Sequence, residues 1–256
     1  MLSELYAYRE MIFSLVRRDL KGRYKGSALG FFWTFLNPLL QLGVYTMVFS
    51  VILRNGIQDY YLFLFVALVP WIFFNSCVAG GTSCIWQQQD MVKKIYFPRE
   101  VIPLSYVTSN FVNMILSLAV VFVVLIVSGK GLNLRAILFL PFIMVVEYFL
   151  ALGITLITCS LDIYFRDLEY LMSIFVMAWQ FLTPVMYGIE QIPEKYLPLF
   201  YINPMTAVIV SYREILYYGR IPQLNTLGMA VGEGVTLCLL GFFTFGRLKR
   251  HFAETM

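Results

Sequence analysis

The chain has 256 residues, 60% of them hydrophobic and 13% charged, with a mean hydropathy of +0.75. Soluble domains carry about twice that share of charge, so the composition is that of an integral membrane protein. The net charge of +4 is small and its basic residues gather in the polar segments between apolar runs, which points to membrane topology and away from nucleic-acid binding.

Residues 1–25 open the chain with Tyr8, Met11, Ile12, Leu15 and Val16 at helical spacing and Glu10, Ser14, Arg17, Arg18 and Lys21 on the other side. That pattern predicts an amphipathic helix in the membrane interface, either a plain anchor or a docking helix for a cytoplasmic partner. Arg17, Arg18, Lys21, Arg23 and Lys25 form a dense cationic cluster, which places the N-terminus in the cytoplasm. No cleavable signal peptide is recognisable ahead of it, so the first span is expected to act as the insertion signal. Gly22, Gly26 and Gly30 read as a flexible joint in preference to a packing face.

Residues 27–53 are long and apolar enough to cross a bilayer, with Pro38 predicting a bend and Asn37 beside it able to satisfy freed backbone groups. Further spans are expected at 60–85, 101–129, 136–161, 170–189 and 224–246. Residues 86–100, with Lys93, Lys94 and Arg99, form a polar cytoplasmic segment, and a brief cytoplasmic turn follows the fourth span. In 190–222, Pro198 and Pro204 break an apolar stretch too short to cross, so external re-entrant half-helices are expected there. The last span offers Gly228 and Gly232 for a close helix contact and returns the basic tail, with His251, to the cytoplasm. The expected fold is therefore an all-α integral membrane protein with an N-terminal amphipathic interface helix, six transmembrane helices and both termini cytoplasmic.

Several catalytic classes are disfavoured. Cys77, Cys84, Cys159 and Cys238 lie in apolar runs without close Cys or His partners, so neither a metal site nor a disulfide framework is suggested. The sequence contains no phosphate-binding G-x-x-x-x-G-K-[ST] loop and no Cys and His pair for a nucleophile. Glu147 and Glu233 sit inside predicted spans, where a carboxylate costs several kcal/mol unless paired, protonated or wet; structural hydrogen bonding and proton coupling are both open.

Three motifs narrow the reading. Arg18, Asp19, Lys21, Arg23, Tyr24, Ser27, Leu29, Gly30, Trp33, Asn37 and Pro38 form one ordered run, K-K-x-x-F-P-R-E-x-x-P follows at Lys93 to Pro103, and Y-F-R-D-L at Tyr164 to Leu168. Together they resemble the membrane subunits of type-2 exporters of the ATP-binding-cassette superfamily, in the branch that moves lipid-linked polysaccharide such as O-antigen, capsule or teichoic acid. The resemblance implies a multi-pass permease of the bacterial inner membrane that forms a homodimer with spans one and five of two copies facing each other. It also implies two copies of a cytoplasmic ATPase, with ATP and Mg bound in that partner and no cofactor in this chain. Gln88, Asp90, Lys93, Lys94 and Arg99 would then belong to the segment that couples to the ATPase. Arg17, Arg18, Lys21, Arg23 and Lys25 would meet the phosphate headgroup of the lipid-linked glycan, and Phe32, Trp33, Phe35, Phe175 and Trp179 would offer ring faces to sugars, the ordinary alternative being lipid or core packing. Export of a drug, haem or small lipid by the same architecture, and an ion-coupled carrier using Glu147 and Glu233, stay open.

Overall fold

The computed structural model describes residues 2–23, 26, 27, 29–54, 56–249 and 252. Among these residues the regular structure is helical, with no β-strand. A short turn of helix at Leu2–Ala7 leads into α1 (Arg9–Gly22), whose buried positions are Leu15 and Val16 and whose Arg17, Arg18 and Lys21 are exposed. The joint after it turns on Gly26 and Gly30, at φ of 85° and 49°, a region that L side chains disfavour. Among the described residues no atom lies within 4 Å of a Cβ built on Gly22, Gly26 or Gly30, so none of the three makes a close packing contact.

Among the described residues five helices are long and apolar enough to cross a bilayer: α2 (Gly30–Ile52), α3 (Tyr60–Gly80), α5 (Val101–Val127), α6 (Leu134–Asp162) and α9 (Leu224–Leu248). Between α3 and α5 lies the short α4 (Gln89–Lys94). The segment expected as a fifth span is helical over α7 (Leu168–Leu182), fifteen residues and roughly 22 Å at the α-helical rise. It stops there because Pro184 pushes Thr183 into extended backbone, at φ −107° and ψ 136°. The stretch that follows contains the five-residue helix Leu197–Tyr201 and then α8 (Pro204–Leu216), each with proline in its first turn. At thirteen residues α8 reaches roughly 20 Å, less than a hydrocarbon core.

The core is organised around α3. Its sequence is hydrophobic on all sides, and from Leu62 to Trp71 every residue is buried, the behaviour expected of a helix surrounded by others. Its last turn, Ser76–Gly80, widens to π-helical geometry, which frees carbonyls that the bilayer would leave unsatisfied. Thr155 Oγ1 donates to the Cys77 carbonyl at 3.0 Å and the Tyr106 hydroxyl to that of Ser76 at 3.4 Å, so α6 and α5 supply the missing partners. By contrast α2 and α7 bury few side chains: Thr34, Pro38 and Leu42 between Trp33 and Thr46, and Val176 alone in α7.

The tightest pairing joins α6 and α9. A Cβ on Gly241 would collide with the Gly153 backbone, one on Gly153 with the backbone of Leu237 and Cys238, and one on Gly234 would stand 3.3 Å from the Val146 carbonyl. Gly228 and Gly232, the glycines expected to make a close contact, have no atom within 4 Å of a built Cβ. The correction follows from helical geometry: Gly234 and Gly241 are seven residues apart and share a face, whereas Gly232 is rotated roughly 200° from Gly234. Gly241→Leu is therefore expected to lower the thermal midpoint of the detergent-purified protein sharply, overpacking alone costing about 1–3 kcal/mol, while Gly228→Ala leaves it essentially unchanged. Equal effects of the two substitutions would contradict this packing.

Candidate functional site

Four segments distant in sequence meet at one end of the bundle: α1, residues 86–100, the turn between α6 and α7, and the end of α9. Arg23 ties the first of these to the core. Its Nε and Nη2 donate to Asp19 Oδ2 at 3.1 and 2.9 Å, Nη1 to Asn110 Oδ1 at 2.9 Å, and Nη2 also to Ser109 Oγ at 3.3 Å. Ser109 Oγ itself donates to Asp19 Oδ2, closing a network between α1 and α5. Arg23 is thus engaged as a clamp.

The remaining cations stand differently. Arg18 Nη2 donates to Gln88 Oε1 at 2.7 Å, linking the cationic helix to residues 86–100. Arg17, Arg18 and Lys21 are exposed and line, with Ser14, Gly30 and Phe31, an open cleft between α1 and the start of α2. Such a cleft sets guanidinium and ammonium donors beside an apolar wall, a combination suited to an anionic headgroup with a lipid tail. Lys25 lies outside the described residues.

Within 86–100, Trp86 anchors the start. Its indole N–H donates to the Asp162 carbonyl at 3.3 Å and Arg166 stacks over its ring at 4.0 Å, so the Tyr164 to Leu168 motif docks on this segment. Ser83 Oγ donates to Glu169 at 2.9 Å and strengthens the same junction. In α4, Asp90 and Lys94 face each other at 4.0 Å, but both are exposed and the pair contributes little. Lys93 lines a groove with Tyr96, Phe97, Arg99 and Phe252, and Tyr96 is 96% exposed.

The end of the segment is held by α9. Arg99 Nη1 donates to the Lys249 carbonyl at 2.7 Å, and Lys249 Nζ meets Glu100 Oε1 at 2.5 Å, with Glu100 only 2% exposed. Arg99 also lies 5.6 Å over the Phe252 ring, which packs edge-on against Phe245. Glu100 stands within the F-P-R-E motif, yet its partner is 149 positions away, and no local pattern announces it.

Glu147 and Glu233 are not hydrogen-bonded to each other. Glu147 is fully buried and accepts from the Tyr212 hydroxyl of α8 at 2.6 Å, a partner that sequence reasoning missed. Glu233 lines an apolar cleft of about 530 Å³ with Phe175, Trp179 and Thr236, and its Oε2 has no hydrogen-bond partner among the described residues. Phe175 and Trp179 stand 5.1 Å apart there, with Phe175 exposed and the Trp179 indole N–H donating to Asn203 Oδ1 at 2.8 Å. Phe32 and Trp33 are exposed at the base of α2, where Phe35 packs 6.5 Å from Phe32.

At the opposite end of the bundle, Lys130 sits 3.8 Å from Asp59 and 3.4 Å over the Tyr217 ring. Burial pushes its ammonium below the usual lysine range, against the pull of Asp59. These contacts pin the turns at that end, and no motif identified from sequence lies among them.

Residues 10–217 match the family described as ABC-2 type transporter. The chain is 36% identical, over 100% of its own length and 99% of the relative's, to a protein named O-antigen export system permease protein RfbA from Myxococcus xanthus. It is 31% identical to a protein of the same name from Klebsiella pneumoniae, covering 96% of this chain and 95% of the relative. A protein named polysialic acid transport protein KpsM from Escherichia coli is 23% identical across 90% of the chain and 86% of the relative.

The buried pairing of Glu100 with Lys249 makes a sharp prediction. Lys249→Gln strands a buried carboxylate and is expected to destabilise the purified protein by about 3 kcal/mol, whereas the double variant Glu100→Gln/Lys249→Gln recovers most of the loss. Additive effects in thermal unfolding would show that the two residues do not interact.

Proposed function

This chain belongs to the ABC-2 type transporter family, and from that premise we propose that it is the membrane-spanning subunit of an ATP-driven exporter of lipid-linked polysaccharide. The observation that supports this most is the convergence at one end of α1, residues 86–100, the turn after α6 and the last residues of α9. A chain without a phosphate loop needs its energy delivered, and a surface built from several elements and cross-braced by Arg18, Trp86 and Lys249 can pass force to more than one helix at once. Full-length similarity to relatives named for O-antigen export supports the glycan over a drug, haem or small lipid.

In this reading the cationic end faces the bacterial cytoplasm, both termini lie there, and α7 with the non-helical residues after it completes a sixth crossing. Two copies form the pore, with the sparsely buried α2 and α7 turned towards the second copy. Two ATPase subunits holding ATP and Mg dock on α1 and on residues 86–100, including Gln88, Asp90, Lys93, Lys94 and Arg99. Arg17, Arg18 and Lys21 receive the phosphate of the lipid carrier in their cleft. Ring faces of Phe32, Trp33, Phe35 and Phe175 line the route of the sugars. Glu147, held by Tyr212, acts as a structural residue, which counts against an ion-coupled carrier.

Co-purification with a candidate ATP-binding-cassette ATPase, followed by ATP turnover measurements, tests the reading. The chain alone is expected to show no turnover, and the complex is expected to be stimulated by lipid-linked glycan. Arg17→Gln or Lys21→Gln should reduce that stimulation by about tenfold, the loss of one charge-assisted hydrogen bond, with basal turnover and assembly unchanged. Hydrolysis by the isolated chain, or export that collapses with the proton gradient at constant ATP, would overturn it.

A further inference from the structure

Far from the cationic end, the segment after α7, the start of α3, α8 and the α8–α9 connection border a partly open polar cavity of about 140 Å³. Phe63, Glu190, Arg213, Glu214, Tyr218 and Arg220 line it. Arg213 is its rigid floor. The guanidinium is buried and donates from Nε to the Phe63 carbonyl at 3.4 Å, from Nη1 to that of Tyr187 at 2.9 Å and from Nη2 to that of Val185 at 2.5 Å, while lying 3.7 Å over the Phe63 ring. Carbonyls of three residues thus compensate the charge, and no carboxylate pairs with it among the described residues.

The other charges are likewise outside any ion pair among the described residues. Glu214 is 8% exposed and accepts the Gln223 N–H at Oε2 at 3.1 Å. The Arg220 guanidinium lies 4.5 Å over the Tyr218 ring. Glu190 is folded back so that a Cβ on Gly188 would stand 2.6 Å from its Oε2. Two carboxylates and two guanidiniums therefore border one small space, and none of the four is in an ion pair among the described residues.

That balance selects a ligand class. A phosphate would meet two carboxylates, a metal or ammonium ion would meet two guanidiniums, and an apolar group would cover Glu190 and Arg220 without offering either a hydrogen-bond partner. A neutral polyhydroxylated ring suits all of them: its hydroxyl protons go to Glu190 and Glu214, its hydroxyl oxygens accept from Arg220, and its C–H face rests on an aromatic ring. The volume admits the edge of one ring and not a chain. We propose that this cavity is a binding site for a single sugar residue of the exported glycan, at the end of the bundle away from the ATPase. The proposal rests on the glycan-export reading and adds to it a discrete sugar site outside the pore.

The test uses the permease–ATPase complex in lipid nanodiscs and saturation-transfer NMR with free glucose, galactose, mannose, N-acetylglucosamine and rhamnose at millimolar concentration. At least one sugar is expected to receive saturation, weakened about tenfold in affinity by Glu190→Gln and by Arg220→Gln, the loss of one charge-assisted hydrogen bond. Both residues are exposed, so the thermal midpoint should hold. Absence of transfer for every sugar, transfer unchanged in both variants, or displacement of the sugar by inorganic phosphate would each overturn the site. If the sugar site fails while lipid-linked glycan still stimulates ATP turnover, the export reading survives alone. If sugars bind but lipid-linked glycan gives no stimulation, the export reading is the one that falls.

Discussion

The contact of α6 with α9, backbone against backbone at Gly153 and Gly241, sets the position of everything that the last helix touches. Inside a bilayer, lipid tails are as apolar as leucine, so helices gain little from hydrophobic burial and must associate through close van der Waals fit. Glycine permits that fit because no Cβ separates the two chains. With α9 held in this way, Lys249 is delivered to Arg99 and Glu100, and Phe252 to the groove beside them. A bulky residue at either glycine would move the helix outward and with it the brace on residues 86–100.

The same economy governs polar groups. Three charged side chains that leave water are met by partners of matching chemistry: Glu147 by a tyrosine hydroxyl, Arg213 by three carbonyls, Glu100 by an ammonium. These partners lie on other elements, so each of these satisfied charges is also a tie between elements. Arg213 joins α8 to α3 and to the segment after α7, Tyr212 joins α8 to α6, and Asn203 caps α8 while accepting from Trp179 of α7. A helix too short to cross the membrane is thereby fixed at both of its ends.

The cationic cluster shows how one charge pattern divides into separate tasks. Arg23 is committed to α5, Arg18 reaches across to Gln88, and Arg17 and Lys21 face an open cleft with Arg18. In sequence all are equivalent positive charges near the entry of the first span. Their division depends on helical phase: Asp19 and Arg23 are one turn apart and lie against α5, whereas Arg17 and Lys21 project elsewhere.

Much of this protein was legible in its residues because the governing energies are local. Apolar length sets which segments can cross, proline geometry ends helices at Thr183 and starts them at Pro204, and glycine at positive φ marks the joint at Gly26 and Gly30. The motif segments around Arg18, Phe97 and Tyr164 were recognisable, and they do converge at one end. What composition and spacing left open is the rotation of each helix about its own axis. Gly228 and Gly232 have the same four-residue spacing as a packing motif, but it is Gly234 and Gly241 that meet α6. Glu147 finds Tyr212, and Glu100 finds Lys249, across 65 and 149 positions. Such pairings are decided only when helices pack, because a rotation of one residue, about 100°, costs nothing in hydropathy yet exchanges every neighbour a side chain can reach.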